Sequence, residues 1–139
     1  MKGFKIAIII WALLPIITGV MDVIVGPSAW QGIGVGLSAQ AFGDSVLDSQ
    51  VRFLGTVWIS YGALLLVCVK DLQKYANILR GALLVVFIGG IARVISVAQV
   101  GMPDTEAGPG FIVFALVIEL AVMPALLLWQ HKVMKSDPL

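Results

Sequence analysis

Charge is what this chain has least of. Of its 139 residues only 12% are Asp, Glu, Lys or Arg, against 60% hydrophobic, where a soluble domain carries about 25% charged residues. A water-facing surface cannot be built from that supply. Cysteine and histidine are nearly missing too, with Cys68 and His131 the single representatives. One cysteine excludes an internal disulfide and any cysteine-rich metal site. Together the two lack the ligands for zinc or haem, so no metal or cofactor is expected. The net charge is +1 and no basic patch is interleaved with aromatics, which leaves nucleic acid out as a partner.

What is present is apolar sequence in long runs. Four stretches meet the requirement of about 20 apolar residues for a spanning helix: Lys5 to Val25, Val51 to Val69, Gly81 to Val100 and Gly110 to Leu128. The first resembles a signal peptide in having Lys2 and Lys5 ahead of the run, but Thr18 to Asp22 offers no small-residue cleavage site, so it reads as a retained helix. The expectation is one all-α domain over residues 1–139, an integral membrane four-helix bundle. Short connections favour antiparallel neighbours, pairing the second span with the third and the third with the fourth.

Basic residues set the expected orientation. Lys2, Lys5, Lys70, Lys74, Arg80, Lys132 and Lys135 fall on one side of a four-span chain, and Arg52 stands alone at the other edge with Asp44, Asp48, Asp104 and Glu106. Both termini are therefore expected in the cytoplasm. Trp30 and Trp129 fit the two interfaces, while Trp11 and Trp58 lie deeper and suit packing between helices.

The first outer connection, Gly26 to Gln50, is longer than a turn needs and mostly apolar, with Trp30, Ile33, Val35, Leu37 and Phe42. It is expected to fold back on the membrane surface, partly helical. Ser45 and Asp48 have capping-box spacing, and Asp48 precedes Arg52 by the four residues of a favourable helical ion pair. The second helix thus starts near Ser45, giving a span of 45–69. Gly32, Gly34 and Gly36 lack the strand and helix of a dinucleotide fingerprint and read as flexible or tightly packed backbone.

Glu119 and Arg93 carry most of the functional information, because a charge in hydrocarbon costs several kcal/mol by the lowest estimates and needs a partner or a purpose. At 1.5 Å per residue, Asp22 lies about 5 Å below the outer edge, Arg93 about 10 Å and Glu119 about 13 Å, with Arg52 at the mouth. The formal sum of these four is zero. Pro15, Gly19, Asp22 and Gly26 share one helical stripe; so do Arg52, Gly55, Ile59 and Gly62; so do Gly89, Gly90, Arg93, Ser96 and Val100. Small residues let membrane helices approach closely, so these stripes are expected to face inward. Pro124, one turn below Glu119, is expected to loosen the fourth span and open space beside it.

Two readings of this centre follow. It is a structural network in which Arg93 and Glu119 neutralise each other while Asp22 or Asp48 answers Arg52. Or it is a small outward-opening pocket of Arg52, Arg93, Glu119, Asp22 and Ser96, binding an anionic or zwitterionic head group. His131 is about 18 Å along a helix from Glu119 and no partner for it; Cys68 reads as a small packing residue; no Ser-His-Asp arrangement is evident.

The set Asp48, Arg52-Phe53, Gly55, Gly62, Gly89-Gly90 with Arg93, Gly101, Pro103, and Glu119 with Pro124 resembles a family of uncharacterised four-span bacterial membrane proteins known as a domain of unknown function. The resemblance covers nearly the whole chain. It implies the bacterial inner membrane, points to Arg52, Arg93 and Glu119 as a polar signature, and brings no activity. Three functions remain open: binding or transport of a small amphipathic or lipid-like ligand, a membrane enzyme using Glu119 and Arg93 on a lipid-soluble substrate, or a scaffold. Membrane lipids, a second copy or another membrane protein are the partners to expect.

Overall fold

The computed structural model describes residues 1–136. Described residues form α1 (Lys2–Val25), α2 (Ser28–Gln31), α3 (Ala39–Phe42), α4 (Ser45–Lys70), α5 (Ala76–Val100), α6 (Gly108–Val117), a π-helical turn (Ile118–Val122) and α7 (Met123–Ser136). α6, the π turn and α7 run on as one rod. Four helices are thus long and apolar enough to cross a membrane. A backbone in hydrocarbon must satisfy its own polar groups, which is why the runs are helical. Exposed Ile10, Ile17, Ile24, Val85, Ile88 and Leu128 form the apolar outside that lipid can cover.

Span boundaries extend beyond the apolar runs. The third helix begins at Ala76, five residues before the expected Gly81, leaving a tight turn in which the Asp71 carboxylate accepts from the Lys74 amide at 3.0 Å. The capping of α4 also differs from expectation. Its cap is Asp44, whose Oδ1 accepts from the amides of Val46 (2.8 Å) and Leu47 (2.9 Å). Ser45 and Asp48 form no capping box, because Asp48 is spent on Arg52. The long first connection carries α2 and α3, as its apolar content predicts, and Pro109 sits in the first turn of α6, where a missing N–H costs nothing.

The most intimate helix pair is α1 with α4, and glycine is the reason. A Cβ on Gly55 would fall 2.7 Å from both the Asp22 Cβ and the Gly19 carbonyl oxygen; one on Gly62 would fall 2.7 Å from the Ala12 carbonyl. The two carbonyls are backbone and cannot yield. Below this seam the buried Phe4, Ile8, Leu65, Leu79, Leu83 and Met123 draw all four spans into one core. A polar thread crosses it: Trp11 Nε1 donates to the Tyr61 hydroxyl at 3.2 Å, which donates to the Ala82 carbonyl at 3.2 Å, tying α1, α4 and α5 together. Trp58 stacks on Tyr61 with ring centroids 5.2 Å apart.

Gly89 departs from the expected inward stripe. It is exposed, and nothing lies within 4 Å of a Cβ added there, so the close approach on α5 belongs to Gly90 alone. Overpacking costs about 1–3 kcal/mol. Gly55→Ala should therefore lower the melting temperature in mild detergent by several degrees, and Gly89→Ala should leave it unchanged.

Candidate functional site

Arg93 and Glu119 meet across the third and fourth spans as a two-pronged pair. Nε donates to Oε2 at 2.9 Å and Nη2 to Oε1 at 2.8 Å, the planar fork geometry that makes arginine the stronger partner for a carboxylate. The Arg93 guanidinium carbon also lies 5.5 Å from the Phe111 ring centre, within cation–π range. Side-chain exposure is 30% for Arg93 and 14% for Glu119.

Local backbone explains why these groups reach each other. Pro124 has no N–H and its ring crowds the carbonyl four residues earlier. The ladder responds by widening over Ile118–Val122, where the Met123 amide donates to the Ile118 carbonyl five residues back. Glu119 sits in that widened turn, a feature that recurs at functional sites. The fit on the facing helix is close: a Cβ on Gly90 would stand 2.6 Å from the Glu119 Cβ.

Beside the pair is a cavity of about 520 Å³ whose lining includes Asp22, Arg93 and Glu119. The rest of the wall is aromatic and aliphatic, with Trp11, Trp58, Phe111 and Phe114 among its rings. Its roof is the first connection. Gly26 takes φ +69, where a Cβ would also collide with the Asp48 carboxylate at 2.8 Å, and turns the chain so that α2 lies over α1. Ala29, Trp30, Gly32 and Ile33 then join the lining, and Trp30 Nε1 donates to Asp22 Oδ1 at 3.2 Å. The second connection holds the roof down: the Thr105 hydroxyl donates to the Gly34 carbonyl at 2.6 Å.

Of the five residues expected to form the pocket, Asp22, Arg93 and Glu119 share this lining, and Arg52 and Ser96 do not. Arg52 is turned to a different task. Nε and Nη2 hold Asp48 at 2.8 and 2.9 Å, while Nη1 donates to the carbonyls of Val23 and Ile24. A cation on the last carbonyls of α1 satisfies acceptors without a helical partner and opposes the helix dipole. Ser96 is exposed on α5. Pro103 serves the roof, packing where a Cβ on Gly108 would come within 2.6 Å of its ring.

Three contributors escape the sequence reading. Trp30, read there as an interfacial anchor, is the roof and the hydrogen-bond donor to Asp22. Phe111 is an ordinary apolar residue until its ring is seen near Arg93. Gln130 is completely buried, its Nε2 donating to the Ala76 carbonyl at 2.7 Å while Oε1 has no hydrogen-bond partner among the described residues. Gln130 lies past the end of the fourth apolar run, beside His131 and Lys132, and so reads as part of the polar inner edge; Trp30 offers no signal either, because the turn at Gly26 breaks helical spacing.

Removing one partner of a buried pair leaves an uncompensated charge. Arg93→Met and Glu119→Leu should each destabilise by about 3 kcal/mol, and the double variant should recover most of that loss, read as melting temperatures of the purified proteins.

No curated protein and no solved structure matches the chain. A family profile does, over residues 3–130, a stretch that takes in every residue of the cavity wall. The chain belongs to the family described as Domain of unknown function (DUF4345).

Proposed function

We propose that this membrane protein binds a small amphipathic, lipid-like molecule in the roofed cavity between its spans. The observation that carries the reading is the composition of that space: about 520 Å³, walled by aromatic and aliphatic groups, with Asp22, Arg93 and Glu119 converging on it. Ligand sites have this size and this pattern of few polar groups in an apolar wall, and ionisable residues at membrane depth mark functional sites by default.

The enzyme reading is less well supported. Both oxygens of Glu119 are engaged by Arg93, so a role in proton transfer would require the pair to part. A scaffold role asks nothing of the cavity. By the distribution of lysine and arginine, the roof faces away from the cytoplasm and both termini face it, in what would be a bacterial inner membrane. A reporter protein that works only in the cytoplasm should be active when fused to the C-terminus.

Native mass spectrometry of protein released from mild detergent tests the binding reading. Ala29→Phe would fill the space beneath the roof. A discrete adduct on the wild type, absent from the folded Ala29→Phe variant, is the expected result. Identical spectra for the two proteins would overturn it.

A further inference from the structure

Which head group the cavity accepts follows from its charges, and this step rests on the binding reading above. Summed along the chain, Asp22, Arg52, Arg93 and Glu119 are neutral. In space they are not one group. Asp48 takes Arg52 and carries it to the C-terminal carbonyls of α1, and Arg93 is matched by both oxygens of Glu119. Asp22 is the carboxylate left over. Among the described residues the ion pairs within 4 Å are Arg52–Asp48 and Arg93–Glu119, and the hydrogen bond to Asp22 comes from the neutral indole of Trp30. Asp22, Arg93 and Glu119 are the charged residues of the cavity wall, so the wall carries one negative charge with no cation to answer it.

An anion would meet an unmatched carboxylate beside a guanidinium that is already neutralised. A cation would supply what is missing. The surroundings favour the same sign, since Trp11, Trp30, Trp58 and Phe114 all line the space and aromatic rings attract ammonium groups most strongly where water is excluded.

The apolar part of the ligand has its own path. A second space of about 360 Å³ lies between α1 and the fourth span, walled entirely by apolar and aromatic side chains, among them Ala7, Ile10, Val122 and Leu126. Trp11, Leu14, Phe114 and Ile118 line both spaces, which makes them neighbours along one cleft. That cleft follows the direction of the spans, as a hydrocarbon chain in a bilayer does.

We propose that the cavity takes an amphipathic monocation, its ammonium head against the Asp22 carboxylate under Trp30 and its hydrocarbon tail in the cleft between α1 and the fourth span. Recognition is by charge complementarity at one end and apolar contact along the other.

The test uses the full chain in phosphatidylcholine nanodiscs, whose neutral surface does not itself gather ions. Dodecyltrimethylammonium, dodecanol and dodecanoate share a tail and differ in the sign of the head. Binding is followed by the fluorescence of the tryptophans lining the cavity. The ammonium probe should bind about tenfold more tightly than dodecanol, the scale of one desolvated cation contact, and dodecanoate most weakly. Asp22→Asn keeps an oxygen for the Trp30 indole and removes the charge. It should bring the ammonium probe down to the level at which the same variant binds dodecanol.

Equal binding of ammonium and alcohol by the wild type, as a protonated Asp22 would give, overturns the inference. So does a preference for dodecanoate, or an ammonium preference that survives in Asp22→Asn. In each of these cases the cavity still binds an amphiphile, and the broader reading stands. If no probe binds the wild type more tightly than it binds Ala29→Phe, the broader reading falls as well. Should Asp22→Asn fail to fold, the ranking of the three probes on the wild type decides the matter.

Discussion

A charge placed in hydrocarbon has to bring its counter-charge with it, and much of this structure is arranged around that requirement. Arg93 sits two turns inside the end of an apolar helix, and the fourth span presents Glu119 on the facing side to answer its charge. This demand sets the rotation of two helices about their axes and their relative height. Gly90 supplies the clearance, because a side chain there would collide with Glu119, and the widened turn at Ile118–Val122 supplies the aim. Buried ion pairs are weak sources of stability, since desolvation consumes most of the attraction. Their effect here is on register: an arrangement that separates the two charges leaves both without a partner.

Proline and glycine do complementary work around that pair. Pro124 interrupts the hydrogen-bond ladder of the fourth span and the ladder widens above it, which gives Glu119 a direction that a regular helix would not. Glycines on α1 and α4 bring those helices to backbone contact, where small residues replace the hydrophobic drive that lipid removes. The bundle is therefore unevenly closed. α1 is locked to α4, whereas its contacts with the fourth span are few, and the cavity and the apolar cleft occupy the space this asymmetry leaves.

Four spans, the folded first connection, the loosened turn above Pro124 and the pairing of Arg93 with Glu119 were all legible in the sequence, because each follows from a local rule about apolar length, missing donors or charge in lipid. Partner choice was not. Asp48 had the helical spacing and Asp22 the depth to answer Arg52; Asp48 holds it from one turn away on α4, and Asp22 accepts from the Trp30 indole, which the turn at Gly26 brings over it. Ser96 and Gly89 fitted an inward stripe by spacing alone. α5 shows its core side through Leu79, Leu83, Val86 and Gly90, and a stripe chosen around Arg93 drifts from that side over two turns. Helical spacing names residues that share a face, and only packing says which neighbour the face meets.

The roof bears on how anything could enter. Trp30 is bonded to Asp22 beneath it, and Gly34 is bonded to Thr105 of the second connection, so opening from above breaks two hydrogen bonds and uncovers apolar groups to water. The side is different. Between α1 and the fourth span the walls are apolar, and among the described residues that line the cleft no side-chain hydrogen bond joins one face to the other; the bond that Trp11 makes runs to Tyr61 on α4. A molecule already dissolved in the bilayer meets the lower barrier there, because its tail exchanges one apolar surface for another. For the amphiphile proposed above, the side of the bundle is therefore the easier route, and the bilayer the phase from which that proposal would have it come.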